Sequence, residues 1–223
     1  MKLLIIGDDI HANRYRDVLF FNSNIELDYN NYENINDYDV IIFSVPYMFN
    51  EEWYNKFKDY HNILIFEKCQ FEIEKIKDIK AKTYIVHLRD FDENKVEFQK
   101  ENNIIWPNLI NDGMNIIKHT LPNILDLIRN NSNTFNPSFD SIYFENNSCY
   151  IKLTNDNKVF NVKIENNEAF GKKVELNNEE LNWPDYFKCI NKMMKKILND
   201  EYDKSLEIDI KYKSIINEME KKI

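Results

Sequence analysis

Glycine is nearly missing from this chain: Gly7, Gly113 and Gly171 are the only three in 223 residues. Where glycine is this scarce, each one kept marks a place where the backbone needs it. There are five prolines and three cysteines, Cys69, Cys149 and Cys189, the cysteines at unrelated spacings. An odd cysteine number excludes a closed disulfide framework, and no pair has zinc-knuckle spacing, so reduced thiols in a cytoplasmic protein are expected. Positive charge is also short: 29 Lys and Arg stand against 38 Asp and Glu, a net charge of −9. That excludes a general nucleic-acid binder, which needs a basic face to release counterions. No apolar run approaches the roughly 20 residues of a membrane span. The opening MKLLIIGDD has too short an apolar stretch for a signal peptide. A soluble, cytoplasmic protein with neither a membrane nor a nucleic acid as partner is therefore expected.

What is present can fold. A hydrophobic content of 43% and an aromatic content of 14% can fill a core, which excludes a disordered polymer. The length suits one large domain or two small ones. Up to about residue 95 short apolar runs alternate with helical spacing. Strands are expected at 3–6, 25–27, 40–45, 63–66 and 83–88, with helices at 11–21, 51–60 and 73–79. Strand–helix alternation predicts a parallel sheet with crossovers. Between residues 25 and 40 the chain is too compressed for a full crossover helix. Beyond residue 95 the pattern becomes α+β. A helix is expected over 112–129 with a kink or break at Pro122. Strands follow at 141–144, 149–153, 159–164 and 172–176, separated by Asn-rich hairpin turns and read as an antiparallel sheet. Helices at 186–198 and 214–222 close the chain. The expected architecture is α/β, with a shortened Rossmann-like domain (1–95) and an α+β substrate and dimerisation domain (96–223).

Four stretches carry a resemblance. "IIGDDIHANRY" resembles an opening strand with its phosphate turn, and "DVIIFSVPYMFNEE" a strand running into a Thr-Pro turn, with Val45-Pro46 in that place. "ILIFEKC" resembles a strand ending in Glu-Lys-Pro. "NDGMNIIK" resembles a helix start of Asp-x-Gly-x-His type, with Asn111, Gly113 and Asn115 in register. In this order they resemble the glucose–fructose oxidoreductase and inositol dehydrogenase group, the Gfo/Idh/MocA family. The resemblance implies NAD or NADP as cofactor, a small sugar-like substrate and hydride transfer to or from a hydroxyl, ketone or imine. It implies Lys68 as proton donor or acceptor and Asn115 as a substrate-positioning group, with Lys68 in the cleft between the two halves. Gly7, Asp9, Ala12, Pro46 and Glu67 fall at its cofactor positions. It also implies a homodimer through the second-domain sheet.

The departures matter as much. Asp9 stands where a dinucleotide turn carries its second glycine, with Asp8 beside it. Two carboxylates suit a helix start but repel a diphosphate; one such repulsion at about 4 Å is worth roughly 1 kcal/mol in water and roughly 4 at a surface-like dielectric. Asp28 could bond ribose hydroxyls or be an exposed turn residue. Cys69 replaces the motif proline and reads as a redox thiol or, more plainly, as a small buried hydrophobe. Asn115 replaces a histidine and cannot shuttle a proton; His119 would compensate only after a register slip. His11 lies where it could face a ligand, whereas His61 and His87 read as a loop and a strand residue. No cluster has metal-ligand spacing. The aromatics at 47–57 read as core. Two functions stay open, an NAD(P)-dependent oxidoreductase and a degenerate relative that binds a ligand or partner without turnover.

Overall fold

The computed structural model describes residues 1–7, 10–31, 33–44, 49–67, 73–108, 113–166, 173–202 and 206–222, with backbone alone at 10, 11, 73, 108, 113–116, 119, 166 and 206. In chain order the elements are β1 (Lys2–Ile6), α1 (Ile10–Leu19), β2 (Glu26–Tyr29), β3 (Val40–Phe43), α2 (Glu51–Phe57), β4 (Ile63–Glu67), α3 (Ile73–Ile76) and β5 (Lys82–Val86). Then come β6 (Glu101–Asn108), α4 (Gly113–Asn130), β7 (Ser138–Glu145), β8 (Ser148–Asn155) and β9 (Lys158–Asn166). The pair β10 (Glu175–Leu176) and β11 (Glu179–Glu180) precedes α5 (Tyr186–Leu198) and α6 (Leu206–Glu220). The chain forms two compact units, Met1–Asp92 with Asp185–Ile210, and Glu93–Pro184 with Lys211–Ile223.

The first unit holds a five-stranded sheet in the order β2-β1-β3-β4-β5, parallel throughout. Its central strands LLII, VIIF and LIFE are buried on both faces, which is why their sequences run apolar without alternation. One face packs Leu3, Ile5, Val40, Ile42, Ile65 and Tyr84 against α1 and α5. The other packs Leu4, Ile41, Phe43, Leu64 and Phe66 against Phe49, Phe57 and Ile76. There Phe43 meets Phe49, Trp53, Phe57 and Phe66 at centroid distances of 5.0–6.0 Å. Such tilted and edge-on pairs each add about 0.5–1.5 kcal/mol beyond burial. Among the described residues the link from β2 to β3 holds one 3-10 turn, Ile35–Asp37, so the shortened crossover is as expected. Asn50 caps α2, accepting from the Glu52 and Trp53 amides.

Two readings from the sequence are corrected here. The segment 185–210, assigned to the second domain, belongs to the first unit: Cys189, Ile190, Met193, Met194 and Ile197 lie in the core with β1, β3 and β4. Helical spacing marks an apolar face but not the surface that receives it. The second sheet, ordered β11-β10-β6-β9-β8-β7, is mixed and not antiparallel, because β6 pairs β9 in parallel. The strand β6 went unread because ENNIIWPN has a polar start and ends near a proline.

In the second unit α4 packs on the inner face of this sheet, opposite Cys149, Ile151 and Leu153. It continues through Pro122 without a break. The scarcity of glycine has a direct consequence in the turns. The hairpin pairs Asn146-Asn147, Asp156-Asn157 and Asn177-Asn178 all have positive φ, between 48° and 68°. Two-residue hairpins require that geometry, and Asn and Asp tolerate it best after glycine.

Candidate functional site

The chain leaves β1 for β2 on one side and returns to β3 on the other, so the strand order reverses between β1 and β3. Ligands of open parallel sheets bind at the carboxyl ends of the strands beside such a reversal. Gly7 follows β1 there with φ +148°, and a Cβ on it would lie 2.8 Å from the Ser44 carbonyl oxygen and 2.9 Å from the Ala12 Cβ. Gly7 and the fully buried Ala12 are therefore small for the same reason: α1, β1 and the end of β3 approach closely.

Asn30 stands one residue past β2, in the left-handed region at φ 53°. Its side chain closes on Gly7, the Gly7 amide donating to Oδ1 at 2.9 Å and Nδ2 donating to the Gly7 carbonyl at 3.0 Å. Beyond β3, the Ser44 hydroxyl donates to Glu67 Oε2 at 2.8 Å, with both residues buried. Glu67 ends β4, so one chain of contacts links the carboxyl ends of β1, β3 and β4. Past β5, the buried His87 holds Nε2 3.2 Å from each carboxylate oxygen of the equally buried Asp209.

Gly7, Ala12 and Glu67 thus meet at this edge. Asp9, Pro46, Lys68, Cys69 and Asn111 lie outside the described residues. Asn115 is in the first turn of α4, which begins at Gly113; there, and at His11 and His119, only the backbone is described. Asp28 is engaged, accepting the Tyr38 hydroxyl at 2.6 Å. Burial, then the Asp28 hydrogen bond and charge, push the Tyr38 phenol up to about 12. Sequence reasoning missed Ser44, Asn30 and the His87–Asp209 pair. Their partners lie 23, 23 and 122 residues away, and only topology brings them together. Cys149 and Cys189 are buried free thiols. Among the described residues no group of three His, Cys, Asp or Glu could hold a metal ion, and no helix is long and apolar enough to cross a membrane.

No protein-family model and no curated protein matches the sequence. Solved structures do match the fold. A dehydrogenase (MviM) from Clostridium difficile superposes with a TM-score of 0.71 at 14% identity, over 100% of this chain and 99% of that one. A myo-inositol dehydrogenase from Corynebacterium glutamicum gives 0.63 at 11%, over 100% and 96%. The WlbA dehydrogenase from Thermus thermophilus, in complex with NAD and UDP-GlcNAcA, gives 0.64 at 10%, over 97% and 93%. At such identities the likeness is one of fold. The chain has the α/β fold of the inositol dehydrogenase and MviM type, the fold of the Gfo/Idh/MocA oxidoreductases.

Proposed function

We propose that the chain is an NAD(P)-dependent oxidoreductase acting by hydride transfer on a hydroxyl, ketone or imine of a small, sugar-like substrate. The observation that supports this reading is the convergence of Gly7, Ser44 and Glu67 at the strand-order reversal of a fold that NAD-complexed dehydrogenases share. NAD or NADP, when bound, supplies the hydride acceptor or donor. Gly7 and Ala12 fit that ligand, because they are small at the turn where its phosphates would approach. The resemblance puts Pro46 and Glu67 among the cofactor positions, and Glu67 is oriented there by Ser44. Asp9, at a cofactor position of the resemblance, weakens diphosphate binding through charge repulsion.

Lys68 follows Glu67 directly. It gives or takes the proton of the reacting oxygen or nitrogen, and Asn115 holds a substrate hydroxyl as donor and acceptor. The protein works in the cytoplasm, with the small-molecule substrate as its partner. It pairs with a second copy through the outer face of the mixed sheet, where Tyr143, Tyr150, Lys152 and Lys163 line a cavity of about 470 Å³.

A second reading, a ligand-binding or partner subunit without turnover, is favoured by one feature. Asn30 and Asp28, 23 and 21 residues past Gly7, stand where a ribose-binding acid is expected, yet both are engaged within the protein. Lys68→Met separates the two. It keeps the stem and removes the ammonium, so an oxidoreductase should lose about 10²-fold or more in turnover. A binding subunit should weaken its ligand with no turnover to lose. Turnover and binding both unchanged would remove Lys68 from the site.

A further inference from the structure

The part of the first sheet on the β2 side is shortened, and its polar side chains are engaged within the protein. In a two-halved dinucleotide fold a further strand lies beyond the second, and an acid at the end of the second strand holds the adenosine ribose. Here β2 is the outer strand of the sheet. It returns to β3 through residues 30–39, whereas parallel crossovers usually take a dozen or more residues and a helix. The returning link is packed onto the sheet face opposite α1. Tyr38, 3% exposed, shares one apolar cluster with Leu4 and Ile41, and Ile35 packs against it. The Tyr38 carbonyl accepts the Tyr60 hydroxyl and the Asn62 side-chain amide, both at 2.9 Å. At the carboxyl edge Asn30 commits both side-chain polar atoms to the Gly7 main chain. Asp28 commits a carboxylate oxygen to the Tyr38 hydroxyl at 2.6 Å. The strands on the other side, β3, β4 and β5, pair in full register, and Ser44 and Glu67 join the ends of β3 and β4.

We propose that the site reads only the nicotinamide mononucleotide half of its cofactor, the adenosine half adding little affinity. The ligand class rests on the NAD(P) reading above. A ribose that meets no positioned acceptor gains little over its hydrogen bonds with water. Asn30 has no charge, and both of its polar groups already hold the turn after β1. The 2′-phosphate of NADPH adds charge to a chain of net charge −9, so NADH binds more tightly than NADPH, by a margin that falls as salt is raised.

The test is titration of the full chain with NADH and with reduced nicotinamide mononucleotide, each followed by energy transfer from the tryptophans, with ADP-ribose as competitor. The two reduced ligands should bind within about threefold of each other, and ADP-ribose at roughly millimolar concentration should displace neither. Asp28→Asn keeps an acceptor for the Tyr38 hydroxyl and removes the charge; Glu33→Gln removes the exposed carboxylate that follows β2. Neither variant should change NADH affinity. If NADH binds about tenfold or more tightly than the mononucleotide, or if either variant weakens NADH alone, the adenosine half is read. The inference is then overturned and the cofactor reading stands. Binding of ADP-ribose without the mononucleotide overturns it as well. If none of the three ligands binds, the cofactor reading falls and the inference falls with it.

Discussion

The side chain of Asn30 grips the main chain of Gly7 from both sides, accepting its amide at 2.9 Å and donating to its carbonyl at 3.0 Å. The turn after β1 is thereby held by β2, although the sequence between them is 22 residues long. Asn30→Ala removes both bonds and puts alanine at a positive φ. Loss of about 1–3 kcal/mol is expected in urea unfolding. Asn30→Gly keeps the backbone geometry and should be milder. Equal stability of all three proteins would show that the clamp contributes nothing.

Gly7→Ala is expected to cost more. The new Cβ meets backbone at 2.8 Å, which no side-chain rearrangement relieves, and φ +148° is itself strained for alanine. A loss of about 2 kcal/mol or more should appear as a lower urea midpoint at an unchanged slope. An unchanged midpoint would mean that β3 can move away from the turn.

Ser44→Ala takes the donor from a buried Glu67 oxygen and should destabilise by about 1–3 kcal/mol. Ser44→Thr keeps the hydroxyl and should recover part of this. If alanine and threonine behave alike, packing at the end of β3 matters and the hydrogen bond does not.

Burial raises the Cys189 thiol to about 11 and the Cys149 thiol to about 12, from 9.0. The folded state therefore holds these protons more tightly than the unfolded state. The stability they contribute is complete below about pH 9 and is lost as pH rises through 11 and 12, at up to about 1.4 kcal/mol per pH unit for each proton. Unfolding midpoints should be flat on the neutral side and fall above pH 9, and Cys149→Ala should flatten that fall. An identical alkaline slope in the variant would contradict the assignment.

Asp9→Gly should tighten dinucleotide binding by about tenfold for each 1.4 kcal/mol of repulsion relieved. A titration of both proteins with NADH at low salt checks it. Weaker or unchanged binding would show that this turn faces no phosphate.

The sequence revealed the first sheet well, because LLII, VIIF and LIF are apolar runs buried on both faces and cannot be surface helices. The hairpins of the second sheet were legible from Asn-rich turns, and their positive φ angles give the reason. Less legible was any feature that depends on return of the chain. The spacing in YFKCINKMMKKIL marks a helix, yet nothing in it says that Cys189 and Met193 pack beside Leu3 and Val40. His87 read as a strand residue because its partner Asp209 is 122 residues away. Of the site, Gly7, Ala12 and Glu67 were visible as motif positions. Ser44 and Asn30 were not, since a serine after a strand and an asparagine in an Asn-rich loop carry no local signal.

The measurement that tests the central claim most directly is energy transfer from Trp53, Trp106 and Trp183 to NADH and, separately, NADPH during titration of the protein. An NAD(P)-dependent oxidoreductase predicts saturable transfer with one nucleotide preferred, reversed by the oxidised form. Transfer that stays linear and unsaturated to millimolar concentration with both nucleotides would contradict it.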